Sequence, residues 1–74
     1  MQEKLIIIRK RKKLTQEEMS KVIGISTKQY QYKETGKSNF TGDEMFKIAQ
    51  FFNDTVDNIF LPTYHQNGDL ERNS

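Results

Sequence analysis

Cysteine is absent from this 74-residue chain, and proline and histidine occur once each. Without cysteine, neither a disulfide nor a thiolate metal site can staple the fold, which fits a reducing compartment. The lone His65 excludes a histidine-cluster metal site. The longest apolar run, Leu5 to Ile8, is far short of a membrane span and lacks the length and cleavage site of a signal peptide. A chain this short is expected to form one small domain with a single core and little room for an enclosed active-site cleft. No histidine–carboxylate pair, nucleophile–base pair or glycine-rich phosphate loop is evident. An enzyme is therefore the least expected class, and no cofactor, metal or small-molecule ligand is expected.

What is present is charge, unevenly placed. Residues 1–40 carry ten Lys/Arg against four acids, net +6, whereas residues 41–74 carry two against six, net −4. One end is suited to approach a polyanion and the other is not.

The periodicity predicts five short helices and no strands. The first covers about residues 3–13, with Leu5, Ile8 and Lys12 on one stripe, and a break follows at Lys13-Leu14. Thr15 with Glu18 forms a capping box that opens a second helix, whose buried stripe is Met19, Val22 and Ile23. Gly24 stops it, because glycine takes the left-handed backbone at little cost. Ile25 plugs the turn. Ser26 and Gln29 form a second box and open a third helix, closed by Gly36. Thr41 and Glu44 form a third box, ahead of a core stripe of Met45, Ile48, Ala49 and Phe52. Asn53-Asp54 is a turn, Thr55 caps a last helix carrying Val56, Ile59 and Phe60, and Pro62 ends the regular structure. The expected organisation is a domain over 1–62 and a polar, flexible tail over 63–74. Tyr32, Phe46, Phe51 and Tyr64 fall off the core stripes and suggest a partner surface.

Residues 14–36, LTQEEMSKVIGISTKQYQYKETG, thus read as helix, glycine turn and helix, directly after a basic run. With YKETGK and EMFKIAQFFNDTVDNIF in register behind it, the chain resembles, from about Leu5 to Phe60, the Cro/repressor-type helix-turn-helix family. These are the lambda-repressor-like, XRE-type transcription regulators of phages and bacteria. The resemblance implies an all-α, compact five-helix domain that binds double-stranded DNA as a homodimer at an inverted-repeat operator. The third helix would lie in the major groove and the second would brace it. Four positions depart from the family pattern. Ser20 replaces an alanine at the crossing of the second and third helices. Lys33 replaces an apolar residue, so its stem is expected to pack while its ammonium reaches out. Phe40 replaces a proline, and Gly42 replaces a leucine, which should loosen the start of the fourth helix.

By that resemblance Thr27, Lys28 and Tyr32 match base-reading positions, with Gln31 a neighbour. Lysine donates to guanine, glutamine grips adenine, and a threonine methyl meets the thymine methyl. Gln16, in the first turn of the second helix, is a candidate phosphate ligand. Lys12 and Lys13 are further phosphate candidates, as are Lys37, Ser38 and Asn39 in the loop after the third helix. Glu34 lies where a carboxylate opposes the helix dipole and so needs a cation. Arg9 is the natural candidate, and the resemblance supports a structural Arg9–Glu34 pair. Phe51, Val56, Leu61 and Tyr64 are candidates for a dimer surface. The functional expectation is a cytoplasmic, nucleoid-associated regulator, most simply a repressor. The alternatives are an antitoxin or restriction-control protein with a protein partner, and a helical protein-interaction module.

Overall fold

The structure is a computed structural model, and it describes residues 1–60. Among the described residues there are five helices and no strand: α1 (Glu3–Arg11), α2 (Gln16–Ile23), α3 (Thr27–Thr35), α4 (Gly42–Phe51) and α5 (Val56–Ile59). The expected flexible tail over 63–74, and Pro62 as its boundary, lie outside the described residues.

Local chemistry accounts for most of the boundaries. Thr15 N–H donates to Glu18 Oε1 at 2.8 Å while Glu18 N–H donates to Thr15 Oγ1 at 3.0 Å, so both ends of the box satisfy donors the helix cannot. The same reciprocal pair opens α3 at Ser26–Gln29 and α4 at Thr41–Glu44. Gly24 and Gly36 close α2 and α3 in the left-handed region, at φ 75° and 95°. Gly42 does not shift the start of α4: the helix begins there with its box complete.

The first helix is shorter than its charge pattern suggests. It ends at Arg11, with Lys12 as its C-cap and Lys13 in the left-handed region at φ 59°. Lys12 is exposed, and does not join the buried stripe. The cause is Leu14, whose N–H donates back to the Arg9 carbonyl at 3.0 Å and whose own carbonyl accepts from Arg9 Nη1 at 2.8 Å. The turn therefore wraps around Arg9.

The core is centred on Leu5, Met19, Tyr30, Ile48 and Ile59, each fully buried. Ile8, Val22, Ile25, Met45, Phe52 and Val56 pack around it, half-buried. Helix α2 packs on α3 and α4, while α5 packs on α4 and α1. Phe40, in the α3–α4 connection, is buried and bridges two rings edge-on, with centroids 5.8 Å from Tyr30 and 5.2 Å from Phe60. A ring thus fills the place where the family pattern has proline. Ser20 is buried, and its hydroxyl donates to the Glu17 carbonyl at 2.6 Å, so the polar atom at the crossing of α2 and α3 is satisfied within its own helix.

Candidate nucleic-acid interface

Helix α3 divides sharply by face. Tyr30 and Glu34, four residues apart, are buried, whereas Thr27, Lys28, Gln31 and Tyr32 are exposed. The exposed side is organised around Tyr32. Lys28 Nζ lies 5.8 Å and Lys37 Nζ 5.1 Å from the Tyr32 ring centroid, both within cation–π reach. The N–H groups of Lys37 and Ser38 donate to the Tyr32 carbonyl at 2.8 and 3.2 Å, so the loop after α3 folds back on the helix end. Lys28, Tyr32, Lys37 and Ser38 therefore form one cluster, and Asn39 is exposed beside it in the chain.

The buried side is a polar network centred on Glu34. Arg9 Nε donates to Oε2 at 2.8 Å and Arg9 Nη2 to Oε1 at 3.2 Å, a two-point grip between side chains 10% and 2% exposed. Tyr30 Oη donates to Oε2 at 2.8 Å, and Gln16 Nε2 to Oε1 at 2.9 Å. Burial, reinforced by the Glu34 carboxylate, pushes the Tyr30 phenol far above its ordinary value, so it stays a donor. The structure thus brings Arg9 and Glu34 together, and it also joins Gln16, the phosphate candidate of α2, to the same carboxylate. Lys12 and Lys13 are exposed in the turn that leads into Gln16.

Lys33 corrects an expectation. Its stem packs, but its ammonium does not reach out: Nζ meets Glu44 Oε1 at 2.6 Å, with both side chains largely buried. The same oxygen accepts the Thr41 N–H at 2.9 Å, so one carboxylate caps α4 and ties it to α3. Burial alone would raise the Glu44 pKa, but the Lys33 ammonium and the Thr41 N–H outweigh it and hold the group below its ordinary value.

Of the candidate dimer residues, Phe51 is half-exposed and rests edge-on against Phe52, and Val56 is half-buried against the core. Leu61 and Tyr64 lie outside the described residues. Phe46 is 56% exposed on α4. Sequence reasoning missed the Tyr30–Glu34, Gln16–Glu34 and Lys33–Glu44 bonds. Only the first carried a signal, the four-residue spacing of Tyr30 and Glu34 on one helix.

A capped bracing helix, a glycine turn and a helix with one polar face outward define a helix-turn-helix domain. A family model described as "Helix-turn-helix" matches residues 5–56, and the chain belongs to that helix-turn-helix family, of the XRE type. The fold is similar to that of the crystal structure of a transcriptional regulator from Listeria innocua, with a TM-score of 0.74 at 17% identity over 78% of this chain. The chain spans about half of that regulator, 54% of its length. Among curated proteins there is no match. No helix of the described residues is long and apolar enough to cross a membrane.

Proposed function

We propose that the protein is a sequence-specific, homodimeric repressor that occupies an inverted-repeat operator through the major groove, without chemistry of its own. The observation that carries this reading is the exposed face of α3, where Thr27, Lys28, Gln31 and Tyr32 offer donors, acceptors and a methyl. Lys12 and Lys13, in the turn before α2, and Lys37, Ser38 and Asn39, in the loop after α3, are exposed, as phosphate-holding groups should be. Gln16 would hold a further phosphate. Phe51 and Val56, with Leu61 and Tyr64, would form the dimer surface in the acidic half, away from DNA. Such a regulator acts in the cytoplasm of a bacterium, at the nucleoid, from a bacterial or phage gene. It responds most simply through its own concentration, by dimerisation and operator occupancy.

Selection of bound duplexes from a random DNA pool at two salt concentrations tests it. The expected outcome is an inverted repeat with half-sites about one helical turn apart. Salt-sensitive binding with no enriched sequence would reduce α3 to non-specific contact. Absence of binding at low salt would end the DNA reading and point to a protein partner.

A further inference from the structure

The Glu34 carboxylate is fully engaged. Its two oxygens accept four donors, from Arg9 Nε and Nη2, Tyr30 Oη and Gln16 Nε2. Arg9 supplies the neutralising charge and Tyr30 a second partner, so the Gln16 bond is not needed to make the burial of Glu34 tolerable. Its consequence falls on Gln16. A primary amide has two N–H donors on one nitrogen and a carbonyl acceptor. Against a carboxylate only the nitrogen end can approach, because the flipped amide would set oxygen against oxygen. The bond therefore fixes which end of the amide sits beside Glu34 and leaves the second N–H of the same nitrogen available. Gln16 is half-buried, in the first turn of α2, so part of its side chain still meets solvent.

Resting on the operator-binding reading above, we infer that Glu34 is a positioning residue for the DNA backbone contact. It orients the Gln16 amide so that one N–H binds the carboxylate and the other is presented to a phosphate oxygen. Arg9 keeps this arrangement compatible with the polyanion, since the carboxylate behind the amide is already paired. The arrangement also ties the first turn of α2 to the last turn of α3. A phosphate held by Gln16 then sets the register of Thr27, Lys28, Gln31 and Tyr32, which ride on the same helix as Glu34. Glu34 contributes to DNA binding without touching DNA.

The test uses the selected duplex and a series of copies in which single phosphates are replaced by neutral methylphosphonates. The wild-type protein is expected to lose about tenfold in affinity at one phosphate in each half-site, the scale of one hydrogen bond to a charged acceptor. Gln16→Ala should bind about tenfold more weakly and be indifferent to that replacement. The combined variant Arg9→Met, Tyr30→Phe, Glu34→Leu removes the network without stranding a buried charge, so the fold is expected to persist. It should keep Gln16 yet lose the same phosphate sensitivity. A merely structural role would weaken binding to natural and modified duplexes alike and leave their ratio intact. A folded triple variant with the wild-type ratio, or a Gln16→Ala protein that keeps it, would overturn the inference. If the triple variant does not fold, proton exchange at the Gln16 side-chain amide of the wild-type protein decides. One slow proton in the free protein and two in the complex support the inference, and exchange as fast as at exposed Gln31 overturns it. A wild-type protein that binds no duplex would instead remove the functional reading on which the inference rests.

Discussion

Two carboxylates show how much of this small protein rests on single residues. Glu34 is 1% exposed, and its charge is tolerable because the Arg9 guanidinium from α1 neutralises it and the Tyr30 hydroxyl on α3 donates beside it. Tyr30→Phe keeps the ring, and with it the edge contact to Phe40, but deletes one donor to the carboxylate. It is expected to destabilise the domain by about 1–3 kcal/mol, the range for leaving a buried charged acceptor short of a partner, as read by urea denaturation. An unchanged midpoint would mean that water replaces the phenol. Glu44 is the second case. Its pKa is held below the ordinary 4.5, so the folded state binds its proton less readily than the unfolded chain. Its contribution to stability is thus complete above about pH 4.5 and is lost as the pH falls through the lower, folded value. Asp54, exposed and lowered by Asn58 and the Thr55 N–H, has the same sign, so the comparison must be between proteins. Glu44→Gln should melt below wild type at pH 7, and the gap should narrow below about pH 4.5. A gap constant down to pH 3 would show that the charge of Glu44 contributes nothing to stability.

At the scale of the element, the same residue type has opposite meanings at different places. Gly42 opens α4 with nothing within 4 Å of where a Cβ would lie and no left-handed φ. Gly42→Ala should therefore stabilise the protein by about 0.5–1 kcal/mol, by restricting the unfolded chain. At Gly36 φ is +95° and an added Cβ would lie 2.9 Å from the Met1 nitrogen, so alanine there should destabilise. Thermal melting of the two variants should move in opposite directions, and a shared direction would contradict the reasoning. These ends of helices were legible in the sequence because they are local. Thr15–Glu18, Ser26–Gln29 and Thr41–Glu44 are boxes read from spacing alone, and each forms as spaced. The stripe of Met45, Ile48, Ala49 and Phe52 follows from helical period in the same way. What was not legible requires the packed fold. Nothing near Lys33 announces Glu44, eleven residues on, and nothing near Gln16 announces Glu34. Phe40 looked like a substitution for proline in a loop, yet it becomes buried because the α3–α4 connection crosses Tyr30 and Phe60. The break read at Lys13-Leu14 matches the left-handed Lys13, but the helix already ends at Arg11, inside a basic run whose pattern does not mark the stop. For the candidate site, sequence pattern named the outward residues of α3, but the cluster around Tyr32 and the network behind it are tertiary.

At the scale of the whole molecule, the charge split turns the proposed interface into a quantitative expectation. Lys12, Lys13 and Lys37 are exposed and are assigned to phosphates, whereas Lys28 is assigned to a base. Each phosphate neutralised should contribute about −0.9 to the slope of log affinity against log salt. Three such lysines per protomer give a slope of about −3 for one bound protomer and about −5 for a dimer, so the slope also reports how many copies bind. Lys12→Ala removes one contact from each protomer. In a dimer it should make the slope shallower by about 2, while the sequence recovered by selection stays the same. Lys28→Ala should do the reverse. It should barely change the slope but relax discrimination by about 1–3 kcal/mol at one base pair of each half-site. The contrast matters because Lys28 and Lys37 both lie over the Tyr32 ring, so position alone does not separate a base contact from a phosphate contact in that cluster. If Lys28→Ala shifts the slope as Lys12→Ala does and the selected sequence is unchanged, Lys28 is a phosphate contact. Base reading then rests on Thr27, Gln31 and Tyr32, and α3 sits differently in the groove from the arrangement proposed here.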